Sequence, residues 1–447
     1  NGLWAHQKTF VKLAFEAHVQ HGARFVLADQ VGLGKTVQLG LAAKLMALTG
    51  DKPILILCRK PLLWQWQAEM WSLLQFPAAV WNGRQWVDEH GHEHPAFGVE
   101  GLRKCPRRAG IVSTGLVKRN SDAVPYLEGN YYDCVILDEA HHARRRNLGD
   151  RHRDEAADMN NLYRFMFNVA PRTRSLLLAT ATPVQLDPIE AWDLLNILAH
   201  GNEFVLGDLY SVWRRKARLG LSFVLGRSDP PTELPEIWEW LRNPFPPKGE
   251  AIDFAVLRRN LGLKDSDWVA HGSKYEGLKA PDRNRLETQR LDLFQNHHPY
   301  IRTIVRRTRS FLETTIDPAT NEPFLKPVLV RLLGEGDTES IILPAFLERA
   351  YHHSEGFCQA LSEREGLNSG FLRTMLLRRV GSTIEAGRRT ALKMLGQTLT
   401  EDDVDEDDDT QKVSALYPLL ESERIHLQAF ADTLAESTDE DPKLFEV

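Results

Sequence analysis

The chain has 447 residues, is 43% hydrophobic and carries a formal charge of −6 at neutral pH. No apolar run approaches the roughly 18 to 20 residues that span a bilayer, so no membrane-spanning helix is expected and the composition predicts a soluble globular protein of two or three packed units. The charge does not exclude a nucleic-acid partner: eight acids crowd into residues 401–409, and setting them aside turns −6 into +2.

The N-terminus, Asn1-Gly2-Leu3-Trp4, has no basic-then-apolar signal pattern, and the missing initiator methionine suggests a fragment or processed product. From Trp4 to about Ala199, short apolar runs alternate with helical patterns. The expected strands are Arg24 to Ala28, Ile54 to Cys58, Gly110 to Ser113, Cys134 to Leu137 and Ser175 to Ala179. Between the second and third, Leu63, Trp66, Met70, Leu73 and Leu74 fall on one stripe of a helix. Strands that are apolar throughout are buried on both faces, which predicts an α/β lobe with a parallel, doubly wound sheet over 1–200.

Residues 81–108 break the alternation with glycines, histidines and charges and are expected to form a long surface insertion. From Gly201 the composition shifts to proline-punctuated, tryptophan-rich helical pieces, which predicts a mainly helical subdomain over 201–340. The tryptophans mostly share helical spacing with leucines, as core residues do. Leu372, Met375, Leu376 and Val380 carry helical spacing through a long-helix protrusion over 341–400. A solvated acidic linker at 401–412 and a further helix within 413–447 complete the expected order.

Three segments carry chemistry. In Leu27-Ala28-Asp29-Gln30-Val31-Gly32-Leu33-Gly34-Lys35-Thr36 a strand gives way to a helix through glycines, which let backbone N–H groups surround phosphate oxygens. Gly32, Gly34, Lys35 and Thr36 are thus candidate ATP ligands, Lys35 bridging β- and γ-phosphates and the Thr36 hydroxyl reaching magnesium. Asp29 stands where the ordinary pattern has glycine, and a ligand-free glycine-rich turn would also have this form. In Val135-Ile136-Leu137-Asp138-Glu139-Ala140-His141 an apolar strand runs into two carboxylates, where parallel sheets bind ligands. Asp138 is then the magnesium-holding group and Glu139 the group that orients and deprotonates water, although a helix-capping acid pair has the same pattern. In Leu178-Ala179-Thr180-Ala181-Thr182-Pro183 the hydroxyls of Thr180 and Thr182 would meet His141 and couple nucleotide state to motion, or would cap the next helix.

In this order and wording the segments resemble the Swi/Snf family of superfamily-two ATPases. Asp-Gln-Val-Gly-Leu-Gly-Lys-Thr is similar to a family segment that also has acid where other phosphate loops have glycine. Leu3-Trp4-Ala5-His6-Gln7 resembles the segment whose glutamine reads adenine, which makes Gln7 an ATP-binding candidate. The stretch from Leu55 to Trp66 resembles the second family motif and Ile111-Val112-Ser113-Thr114 the third. Both touch the DNA backbone in the family, so Lys60 and Thr114 carry over as nucleic-acid candidates. Arg306-Arg307-Thr308 resembles the Arg-Arg-Thr that closes the family's first helical insertion, and residues 371–386 resemble the bacterial HepA/RapA-like branch.

The resemblance implies a RecA-like P-loop lobe that uses ATP and magnesium to translocate on double-stranded DNA, in a bacterial cytoplasm, in DNA processing, phage defence or RNA polymerase recycling. It also implies a second RecA-like lobe, which supplies arginines across the cleft. Asp441-Pro442-Lys443-Leu444 resembles its start, and no such arginine motif follows residue 410, so this polypeptide alone is expected to turn ATP over weakly. Among the basic runs, Arg144, Arg145 and Arg146 are the nucleic-acid candidates from the residues themselves, because they follow the hydrolysis site. A strand-separating helicase on DNA or RNA and a non-motor ATP-gated scaffold are the rival readings. The histidines at 90, 92 and 94 lack metal-ligand spacing, and four scattered cysteines fit a reducing compartment.

Overall fold

The alternation of the first 200 residues supplies eight strands of a nine-stranded sheet with helices on both faces. The protein, seen in a computed structural model, is described at residues 2–95, 98–152, 154–317, 321–326, 345–362, 369–396 and 418–436. It divides into two compact units, Asn1–Pro327 and Val328–Val447. The expected acidic linker and the Asp441-Pro442-Lys443-Leu444 segment lie outside the described residues.

In the first unit the strands are β1 (Arg24–Leu27), β2 (Ile54–Cys58), β3 (Ala78–Trp81), β4 (Trp86–Val87), β5 (Glu93–His94), β6 (Ala109–Ser113), β7 (Tyr132–Leu137), β8 (Thr173–Ala179) and β9 (Ile304–Val305). Their order across the sheet is β5-β4-β3-β6-β2-β7-β8-β1-β9. All pairings from β3 to β9 are parallel. The five expected strands form within two residues of their predicted ends.

Parallel strands need both faces covered. Val26, Leu55, Val135, Leu137 and Leu176 point into one core, with Phe165, Leu194, Trp213, Trp238 and Trp240. Phe25, Leu27, Ile56, Ile136 and Leu177 point into the other, against α1 (Ala5–Gln20), α2 (Lys35–Thr49) and α3 (Leu63–Ser72), which contribute Phe10, Leu39, Met46, Trp66 and Met70.

Two sequence expectations change. Residues 81–108 are not only a surface insertion: β4 and β5 extend the sheet edge as an antiparallel hairpin. Trp86 anchors it by donating its indole N–H to the Gly101 carbonyl at 2.9 Å, and Asp88 accepts from the backbone N–H groups of His90 and His92. The sheet also does not end near residue 200. After the helices of 189–303, the chain returns as β9 beside β1, pairing Val26 with Ile304 and Leu27 with Val305. A two-residue strand carries too little periodicity to be read from sequence.

The second unit has helices Ala345–Ser362, Ser369–Ser382, Ile384–Leu395 and Glu421–Ala435 among its described residues. Phe357, Leu361, Leu372, Leu376, Met394, Leu427 and Phe430 form its core. No helix of the described residues is long and apolar enough to cross a membrane.

Candidate active site

The glycine-bearing loop opens where β1 ends, and α2 begins at Lys35. Gly32 and Gly34 take positive φ values of 85° and 71°, a region that L side chains avoid. Gly34 is constrained a second way: a Cβ there would stand 2.5 Å from the Gln7 amide nitrogen. Gln7, on the first turn of α1, donates to the Leu33 carbonyl at 3.4 Å and accepts from the Trp4 N–H at 3.0 Å. The glutamine predicted to read adenine is therefore folded against the loop. The Lys35 ammonium donates to the Asp29 carbonyl at 2.9 Å.

Asp29 itself points inward, fully buried. Arg307, delivered by β9, grips it: its Nη2 lies 2.6 Å from Oδ2 and its Nε 2.9 Å from Oδ1. The same Nη2 donates to Gln38 Oε1 at 2.8 Å, and the other end of the fork reaches the His6 carbonyl. One guanidinium thus ties the loop to α1 and α2. Its partnership with Asp29 escaped the sequence reading, though the departure of Asp29 from the glycine pattern was its signal.

Two strands away in the sheet, β7 ends in the paired acids. Neighbouring strands lie about 4.8 Å apart, so the carboxyl ends of β1 and β7, with β8 between them, are separated by roughly 10 Å. The Asp138 N–H donates to the Leu57 carbonyl at 2.8 Å, which extends the ladder to β2. Both carboxylate oxygens of Asp138 are held: Oδ1 accepts the Glu139 N–H at 3.0 Å and Oδ2 accepts the Trp66 indole N–H at 2.9 Å. Glu139 adopts a left-handed φ of 51°. Burial raises its carboxyl pKa, the charge of Asp138 raises it further, and the Lys35 and Arg59 charges pull it back down. The loop that leads to Lys35 and the paired acids thus leave the same edge of the sheet, at the carboxyl ends of parallel β1 and β7.

Thr36, in the first turn of α2, offers a hydroxyl beside Lys35. A hydroxyl and a carboxylate are hard oxygen donors of the kind magnesium takes, and each Asp138 oxygen keeps a lone pair beyond its single hydrogen bond. The residues fit that ion.

At the end of β8, Thr180 Oγ1 lies 3.0 Å from His141 Nδ1 and accepts the Thr182 N–H at 3.0 Å. Glu139 Oε2 stands 3.4 Å from the same imidazole nitrogen. Thr182 accepts from Gln185 at 3.3 Å. The three predicted coupling residues therefore form a chain that starts at Glu139. Burial, then the Arg144 charge, lowers the His141 pKa to about 4, so the imidazole is neutral at pH 7.

The nucleic-acid candidates separate. Lys60 is exposed on the turn after β2. Thr114 starts a short helix after the adjacent β6 but is buried, so its side chain is not presented. Arg144 Nη1 lies 3.0 Å from Glu190, and Arg145 makes a bidentate pair with fully buried Asp193, at 2.6 Å for the closest contact. These two guanidinium groups, offered by the sequence as nucleic-acid candidates, instead hold the helix Ile189–Ala199 to the loop after β7. Arg146 does lie exposed. A run of basic residues alone does not reveal which of them meet buried acids.

A family model described as SNF2-related domain matches residues 6–218. The RNA polymerase-associated protein RapA of Sodalis glossinidius (strain morsitans) is 30% identical over 175 residues, covering 39% of this chain and 16% of that protein. RapA of Pectobacterium carotovorum is also 30% identical over 175 residues, with the same coverage. The matched stretch thus spans about a sixth of the length of these curated relatives. Among solved structures, the Sulfolobus solfataricus SWI2/SNF2 ATPase core in complex with dsDNA covers 88% of this chain and 58% of its own, at 13% identity and a TM-score of 0.37. The core domain of the same ATPase covers 69% and 76%, at 12% identity and a TM-score of 0.33.

Proposed function

We propose, from the premise that residues 6–218 are an SNF2-related domain of the Swi/Snf type and its RapA-like branch, that the chain is the nucleotide-hydrolysing lobe of a double-stranded-DNA translocase. The observation that carries this reading is the common edge: the glycine-bearing loop before Lys35 and the pair Asp138-Glu139 both follow the carboxyl ends of parallel strands, β1 and β7, with only β8 between them.

The chemistry follows from the residues. Lys35 exchanges the Asp29 carbonyl for the β- and γ-phosphates of ATP, while the N–H groups around Gly32, Gly34 and the start of α2 take the remaining phosphate oxygens. Gln7 holds the adenine end. Thr36 and Asp138 would hold magnesium, which would neutralise phosphate charge. Glu139 orients a water molecule in line with the γ-phosphate and accepts its proton. His141, Thr180 and Thr182 relay the change at Glu139 toward the helix beginning at Ile189. A second RecA-like lobe contributes arginines that stabilise the transferring group. Lys60 and Arg146 meet the DNA backbone, which makes binding insensitive to sequence.

The process served is bacterial DNA processing or phage defence, with protein partners in a larger assembly. The test is ATP turnover by the full-length protein with and without duplex DNA, joined to displacement of a third strand from a triplex. Duplex-stimulated turnover with triplex displacement and no duplex unwinding supports the translocase. Unwinding would favour a helicase. Biological activity that survives Glu139→Gln would favour an ATP-gated scaffold.

A further inference from the structure

Trp66 is unusual among the core tryptophans. Its ring is 2% exposed and packs under the sheet with Leu63 and Met70, yet its indole N–H leaves that core to donate to Asp138 Oδ2 at 2.9 Å. A buried indole N–H favours an acceptor, and three other core tryptophans find a carbonyl: Trp86 takes Gly101, Trp213 takes Trp240 and Trp238 takes Ser273. Trp66 has instead the carboxylate that ends β7.

That contact limits how the carboxylate can turn. With the Glu139 N–H on Oδ1 and the indole on Oδ2, rotation about the Cβ–Cγ bond would break at least one hydrogen bond. Hydrogen bonds to a charged group are stronger than those between neutral partners, so the two together favour one orientation of the carboxylate. An outer-shell partner of this kind commonly changes metal affinity 10- to 100-fold when removed.

The donor's position is set by a different part of the chain. Trp66 lies in the first half of α3, which follows directly on the turn Lys60–Leu62, and that turn continues β2. The segment 59–66 thus presents Lys60 to solvent at one end and the indole to Asp138 at the other. The Arg59 charge also bears on Glu139 and His141. A small displacement of this turn and helix moves the indole relative to the strand-borne carboxylate, because β7 is pinned on both sides by β2 and β8.

We propose that Trp66 is a positioning residue of the ATPase, orienting Asp138 for magnesium and making that orientation answer to the DNA-facing segment 59–66. This rests on the translocase reading and adds a route by which duplex contact reaches the metal-holding group.

The test uses the full-length protein and Trp66→Phe, which keeps a buried aromatic ring and removes the N–H. With a non-hydrolysable ATP analogue present, the magnesium concentration giving half of the thermal stabilisation is expected to rise about tenfold, and duplex stimulation of turnover to fall. Trp66→His, which restores a ring N–H, is expected to recover part of the magnesium affinity. An unchanged magnesium midpoint in Trp66→Phe, or equal midpoints for the Phe and His variants, overturns the proposal. If wild-type protein shows neither magnesium-dependent turnover nor duplex stimulation, the translocase reading itself fails. A normal wild type beside an unaffected Trp66→Phe removes only the role of Trp66.

Discussion

The Arg307 guanidinium meets the Asp29 carboxylate at 2.6 Å although 278 positions separate them. Removing one partner of a buried, hydrogen-bonded pair leaves the other charge uncompensated, at a cost of roughly 3 to 5 kcal/mol. Arg307→Ala should therefore lower the urea midpoint of the first unit strongly and weaken ATP binding through the loosened loop. The double variant Asp29→Asn, Arg307→Met should recover much of the lost stability. Midpoints for Arg307→Ala within error of wild type would remove the staple from consideration.

Lys35 and Glu139 should separate binding from chemistry. Lys35→Ala is expected to weaken ATP binding at least tenfold, because the phosphates lose their closest cation. Glu139→Gln keeps the side chain's shape and should leave binding near wild type while slowing turnover by about 10² to 10⁴, the range for loss of a general base. Titration calorimetry with an ATP analogue and single-turnover hydrolysis measure the two effects. Equal losses of binding in both variants would contradict the roles assigned.

Glu139 also dictates a pH profile. Its carboxyl pKa lies above the ordinary 4.5, through burial first and the Asp138 charge second. A base works only when ionised, so turnover should fall as pH drops through that raised value, and the acid limb should lie above 4.5. Arg59→Gln removes a charge that lowers the pKa and should move the limb further toward neutral pH. A limb below the ordinary carboxylate range would exclude Glu139 as the base.

His141 makes a separate prediction, for stability. The unfolded imidazole takes up a proton as pH falls through 6.5, whereas the folded one stays neutral to about 4. The stabilisation is complete above 6.5, declines across that window and levels off below about 4, a total of roughly 3 kcal/mol. His141→Gln cannot titrate, so its stability difference from wild type should shrink by about 2 to 3 kcal/mol between pH 7 and 4.5. Parallel stability curves would show that His141 does not titrate in this way.

Gly34→Ala should weaken ATP binding without unfolding the chain. The added methyl meets the Gln7 amide at 2.5 Å in a left-handed backbone that itself costs about 1 to 2 kcal/mol for an L side chain. Wild-type affinity in this variant would show that the loop and Gln7 separate more readily than their contacts imply.

What could be read before the fold was known follows from how local each signal is. The apolar runs of β2 and β7 and the segments Gly32 to Thr36 and Asp138 to His141 announce themselves over a few residues, because strand burial and phosphate binding depend on local pattern. The partners of Asp29 and Asp138 do not. Arg307 reaches the loop only because β9 joins the sheet, and Trp66 looks like any other apolar residue on the stripe of α3 until its N–H direction is known. Arg145 is hidden for the same reason: its buried acid, Asp193, sits 48 positions away on the helix Ile189–Ala199.

The short strand β9 has a further consequence. The helices of 189–303 leave the sheet after β8 and return to it beside β1, so they form a loop with both feet planted in the nucleotide lobe. A single protease nick among them should release no fragment under native conditions, since each half stays fastened. A chimaera that exchanges these helices between related motors would have to cut before Ile304, or it would take away the edge strand and the arginine that braces Asp29.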